Sequence, residues 1–254
     1  MSQKSQHYQD VTAVVEDIFA STAPRQLLHQ PLTVLQKEAI QLLGEKQFLS
    51  CEILARLDRS KCKIENRSDQ VDLHLLGECA FQLDKFAAAK DFYEQLYQYD
   101  DVKYRYKVAC CLVKNGSVIE AVCVLDQLPT ESRTLQINML LGKLYAATSR
   151  KHGAISCFLD ALKDNPSALE AVFCLTALGV DKNKITTALA AGHQKRGQDD
   201  TILTQEMVLL LNAKHRHQTT IALQHAQKLA AEYPDNVYLL LLQAELHQNN
   251  NEND

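Results

Sequence analysis

The chain has 254 residues, 46% hydrophobic and 23% charged, with 8 glycines, 5 prolines and a formal net charge of −4. That apolar share can build a continuous core and argues against disorder over most of the length, while the scarcity of glycine and proline disfavours an all-β fold built on tight turns. An acidic balance without a basic stripe argues against nucleic-acid binding through phosphates.

The first 20 residues contain Asp10, Glu16 and Asp17, too polar for a secretory signal and too acidic for a transit peptide. The longest apolar run, residues 237–242, is six residues long, against roughly 20 needed to cross a bilayer. The expected location is the nucleus and cytoplasm, with no membrane contact. Eight cysteines at 51, 62, 79, 110, 111, 123, 157 and 174 include no Cys-x-x-Cys pair and read as reduced thiols. Residues 11–19 predict one helix. Residues 35–43 and 48–57 flank Gly44-Glu45-Lys46-Gln47 and predict a degenerate helical hairpin. Residues 58–69, DRSKCKIENRSD, are polar and predict a loop, so 1–69 reads as an N-terminal helical segment.

From residue 70 onward an internal repeat governs the pattern. Leu141, Gly142, Tyr145, Ala154, Phe158, Ala161 and Pro166 fit the 34-residue tetratricopeptide template, with Asn138 in its Trp slot. Small residues recur in the second helix of each repeat at Ala89, Ala121, Ala154, Ala188 and Ala222, in steps of 32, 33, 34 and 34. The matching first-helix positions are Gly77, Ala109, Gly142, Thr176, Leu210 and Ala244. Pro166 and Pro234, two periods apart, each end a second helix, because proline cannot continue one. The steric account is that two helices approach closely only where a side chain is minimal. The expected fold is therefore an all-α tetratricopeptide-repeat superhelix, or α-solenoid, of stacked helical hairpins. Its repeats run about 70–101, 102–134, 135–168, 169–202 and 203–236, with a sixth starting at 237–247. The repeat at 169–202 is weak, since Gly179 and Gly192 stand where large residues are usual. In VYLLLLQAEL the apolar residues cover every helix face, a pattern of burial on more than one side, so a longer solenoid or a covering partner is expected there. Residues 248–254 read as a disordered polar tail.

Chemistry-bearing constellations are sparse. Cys110 and Cys111 are adjacent, so on a helix they point about 100° apart and cannot share a tetrahedral ion; they read as small core residues. His215, His217 and His225 lack the three- or four-residue helical spacing of a metal pair. No nucleophile elbow, phosphate loop or zincin motif is present, so neither catalysis nor a cofactor is expected. The first helices offer a concave groove in which Lys103, Tyr106, Lys114, Met139, Lys143, Met207 and Lys214 would line a path for a protein partner.

The blocks VKYRYKVACCLVKNGSVIEAVCVLDQLP and LQINMLLGKLYAATSRKHGAISCFLDALKDNPSALEAV resemble the subunit 7 family of the anaphase-promoting complex. The resemblance rests on Val102-Lys103-Tyr104, Val124-Leu125-Asp126 with Pro129, Ile137-Asn138-Met139 with Leu144-Tyr145, and Pro166 with Ala168, Leu169 and Ala171. It implies a non-catalytic scaffold in a ubiquitin ligase, homodimerising through its amino-terminal half and stacking on other tetratricopeptide-repeat subunits that support activator binding. Family members are longer and often carry a polar insertion where only Tyr99-Asp100-Asp101 stands here. Leu27, Leu28, Leu32 and Leu35 are candidates for the two-fold surface. The competing readings are an independent peptide-binding adaptor or cochaperone, and an RNA-binding helical repeat, which the charge disfavours.

Overall fold

The computed structural model describes residues 31–197 and 202–251, and among these every regular element is helical. The chain divides into two compact units, Met1–Ser132 and Arg133–Asp254. The first holds α1 (Val34–Gly44), α2 (Phe48–Glu65), α3 (Gln70–Gln82), α4 (Phe86–Glu94), α5 (Asp101–Lys114) and α6 (Val118–Asp126). The second holds α7 (Leu135–Ala147), α8 (Lys151–Asp164), α9 (Leu169–Ala177), α10 (Lys182–Arg196), α11 (Ile202–His215), α12 (Thr219–Glu232) and α13 (Val237–Asn251). Within each unit, successive helices pack on one another as hairpins, the all-α arrangement of the tetratricopeptide α-solenoid class.

One device closes six hairpin turns among the described residues. Lys46, Asp84, Gly116, Ser149, Gly179 and His217 lie in the left-handed region, with φ between 57° and 80°. The following N–H then donates to the carbonyl five residues back, as from Ser117 to Leu112 at 2.9 Å and from Arg150 to Tyr145 at 2.8 Å. This closure satisfies carbonyls that the helix end would otherwise leave bare. Gly179 is thus a turn residue after the nine-residue α9, where backbone sign and not side-chain bulk is selected.

The ladder alanines Ala89, Ala121, Ala154, Ala188 and Ala222 are all buried, as are Gly77, Ala109, Gly142, Thr176 and Leu210; Ala244 is exposed. The close approach is not backbone on backbone. A Cβ on Gly142 would fall 2.7 Å from Cε1 of Phe158, and one on Gly77 would fall 2.5 Å from Cε1 of Tyr93. Each glycine makes room for an aromatic ring sixteen residues later, on the second helix of its hairpin. The same offset relates Ala109 to Leu125 and Leu210 to Ala226, all buried, whereas Gly192, sixteen residues after Thr176, abuts the Leu162 carbonyl and Pro166 instead. In the other four pairs a small residue on one helix is matched by a larger one on the other, as close packing favours.

Three expectations change. The segment expected as a loop at 58–69 is helical to Glu65, because Asp58 and Cys62 continue the buried face begun by Cys51 and Ala55; the chain turns only at Asn66, φ 54°. Nothing before Asn66 breaks the helix. The last helix runs to Asn251, so the expected tail at 248–254 begins inside it. Leu32, proposed for a dimer surface, packs on the core of Ala39, Ile40, Cys51 and Leu75, and Leu35 is half-buried. The helix expected at 11–19, with Leu27 and Leu28, lies outside the described residues.

Candidate partner-binding surfaces

In the first unit, α5 presents the predicted groove residues beside a buried polar network. All seven residues of VDLHLLG in α3 are buried, including His74. The His74 Nδ1 lies 3.2 Å from the Tyr104 hydroxyl. Glu78, one turn on, accepts from the Tyr93 hydroxyl at 2.8 Å and pairs with Lys107. The Lys107 ammonium also stands 5.3 Å from the Tyr93 ring centre. The network ties α3, α4 and α5 together, and sequence reasoning missed it; the signal available was two polar residues, Asp72 and His74, inside an otherwise apolar helix run.

These surroundings set the charges. Burial pushes His74 down to about 3, with Lys107 and Lys103 of α5 adding to the effect and Glu78 opposing it. Burial would raise Glu78, but the Lys107 ammonium, with His74 and the Tyr93 hydroxyl, together offset it and hold the carboxyl below its ordinary value. Lys103 is lowered to about 8, by burial first and then by Lys107. Tyr106 is raised to about 12 by burial and Cys110. Lys114 is exposed in the last turn of α5.

His74 gives a pH prediction with a definite sign. Its folded-state value lies below the unfolded one, so the unfolded chain takes up a proton near 6.5 that the native state refuses until about 3. Stability is held above pH 6.5 and lost on acidification through that window, at about 1.4 kcal/mol per pH unit. Urea unfolding of wild type against His74→Gln, which retains a polar partner for Tyr104, should show the relative stability of wild type falling by about 3 kcal/mol between about pH 7 and pH 4. A gap independent of pH would contradict the buried neutral imidazole.

In the second unit the predicted residues part ways. Met207 is buried in the core with Val208, Leu210 and Leu211, because α11 is packed by α9, α10 and α12 at once; it is not a groove residue. Met139 is half-buried and packs against that core. Lys143 and Lys214 bridge between first helices of neighbouring hairpins, pairing with Glu170 and Glu245, both at 2.7 Å. His225 binds Glu206 at 2.7 Å, while His215 and His217 are exposed.

An apolar surface lies elsewhere in the first unit. Leu49, Ile53, Leu57 and Ile64 are 62%, 51%, 52% and 85% exposed. Their spacing places them on one stripe of α2, opposite the buried Cys51, Ala55 and Cys62.

The folded units are those of a helical-repeat protein whose surfaces, not a cleft, carry the distinctive residues. The chain is similar to anaphase-promoting complex subunit 7: it is 30% identical to the Homo sapiens protein over 80 residues, 32% of this chain and 14% of that protein. To the Arabidopsis thaliana subunit 7 it is 27% identical over 142 residues, 54% of this chain and 25% of that protein. These alignments span no more than a quarter of the relatives' length. Among solved structures, the crystal structure of the APC/C hetero-tetramer Cut9-Hcn1 aligns at 15% identity and a TM-score of 0.48, covering 92% of this chain and 52% of that one. No protein-family model matches.

Proposed function

We propose that the chain is a non-catalytic scaffold of the anaphase-promoting complex ubiquitin ligase, acting in cell-cycle control in the nucleus and cytoplasm. In this reading it homodimerises and binds other tetratricopeptide-repeat subunits or activators. The observation that carries the reading is the match to subunit 7 of both Homo sapiens and Arabidopsis thaliana in a chain built of helical hairpins. The fold supports a holding role: the stacked helical hairpins within each unit offer surfaces for partners. Self-association would use the α2 stripe, since a two-fold axis lets one apolar face cover itself.

The adaptor or cochaperone alternative needs cations that converge on a peptide carboxylate. Lys143 and Lys214 are instead engaged by Glu170 and Glu245, which favours the scaffold. Affinity purification of the tagged chain from its own cells, read by mass spectrometry, tests the choice. Other ligase subunits are expected at comparable abundance. Chaperones or RNA recovered without them would overturn the proposal.

A further inference from the structure

A second feature of the first unit is a buried set of donors that satisfies itself poorly. Asp58 and Cys62 lie one turn apart on the inner face of α2, and Asp72 lies in the first turn of α3. All three are buried, at 2%, 0% and 0% exposure, and their donor atoms lie within 4.8 Å of one another. Two carboxylate oxygens converge on one sulfur: Cys62 Sγ is 3.6 Å from Asp58 Oδ2 and 3.5 Å from Asp72 Oδ2. A thiol has one proton, so it can donate to only one of them. The other oxygen of Asp72, Oδ1, finds no hydrogen-bond partner among the described residues although the residue is fully buried. Leaving such a group unmatched costs more than a typical hydrogen bond returns.

We propose that Asp58, Cys62 and Asp72 bind a divalent transition metal, with zinc the best match. Zinc holds thiolate sulfur at about 2.3 Å and carboxylate oxygen at about 2.0 Å in a tetrahedron, which sets sulfur–oxygen edges of about 3.5 Å. The two sulfur–oxygen separations, 3.6 and 3.5 Å, are that edge. A thiolate among the donors selects against magnesium and calcium, which take oxygen alone. The thiol proton leaves to solvent as the sulfur takes the metal, so binding strengthens as pH rises.

The surrounding contacts are those of an oriented ligand set. Thr33 Oγ1 donates to Asp58 Oδ1 at 3.0 Å, Gln36 Nε2 donates to Asp72 Oδ2 at 3.2 Å, and Arg67 approaches Asp58 Oδ1 at 4.0 Å. Thr33 and Gln36 also form the capping box of α1. A metal here would clip the start of α1, the end of α2 and the start of α3 together; the three side chains fill three corners of the tetrahedron and leave the fourth to water or another donor.

The test uses the full chain stripped with chelator and dialysed into metal-free buffer. Added zinc should bind at one ion per chain and raise the thermal midpoint. Cobalt(II) in its place should develop a thiolate-to-metal charge-transfer band. Cys62→Ser and Asp72→Asn should each weaken zinc at least about tenfold and abolish or shift the cobalt band while keeping the helical circular dichroism. Failure of micromolar zinc to bind wild type, or a cobalt complex without the thiolate band, overturns the assignment without reference to any variant. Unchanged binding in the Cys62→Ser, Asp72→Asn double variant overturns it as well.

Discussion

Gly142→Leu should destabilise the second unit by about 3 kcal/mol, the upper end of the cost of overpacking a filled core. The added Cβ alone would lie 2.7 to 2.9 Å from three atoms of the Phe158 ring, before the rest of the leucine is placed. Phe158 cannot step aside, since it is 1% exposed and sits in a core with Ala154, Ala161 and Leu175. The midpoint of thermal unfolding should fall by roughly 2 to 4 °C for each kcal/mol. Phe158→Ala alone leaves a cavity and costs about 3 to 5 kcal/mol. Combined with Gly142→Leu, the new leucine occupies the vacated space, so the double variant should be more stable than the sum of the singles by at least about 1 kcal/mol. Additive losses would mean that the two residues do not share one volume.

Gly192→Ala is expected to destabilise even though it improves helix propensity by about 1 kcal/mol. In α10 the new Cβ would come 2.5 Å from the carbonyl oxygen of Leu162 and 2.8 Å from Cγ of Pro166. Those atoms belong to backbone and to a ring fixed at the end of α8, so neither yields as a flexible side chain does. The clash, about 1 to 3 kcal/mol, outweighs the propensity gain. Gly153→Ala is the counter-example: its Cβ would meet the half-buried Tyr145 ring at 3.0 Å, and that ring can give by a few tenths of an ångström. Denaturant midpoints should therefore fall for Gly192→Ala and stay level or rise for Gly153→Ala. A fall in both, or in neither, would contradict the contact geometry.

Much of this architecture is legible because small residues recur on a beat, and a beat survives without knowledge of what fills each gap. What fills the gaps is not legible. Gly77 and Gly142 face aromatic rings sixteen residues on, whereas Gly192 abuts the Leu162 carbonyl and Pro166 at the end of the preceding hairpin. Gly192 thus reads as a defect in a single-position template and as a fit once its neighbours in α8 are known. Met207 shows the same limit: a first-helix position that faces a groove in one repeat is buried when three helices pack on it. Residues 58–69 look like a loop because many of their side chains are charged, yet the buried series Cys51, Ala55, Asp58 and Cys62 is helical in its spacing, with a polar member in a place usually apolar. The α2 stripe is hidden for a related reason: Leu49, Ile53 and Leu57 fit the periodicity of a core face, and only the structure shows that the opposite side of the helix takes that role.

Self-association through α2 is the physical step on which the scaffold reading leans most, and multi-angle light scattering tests it directly. The chain at tens of micromolar is expected at twice its 28.6 kDa. Ile53→Glu combined with Leu57→Glu places two charges on an exposed face and should return the single-chain mass without loss of helix. A wild-type protein of single-chain mass, or a double variant that still doubles, would contradict it.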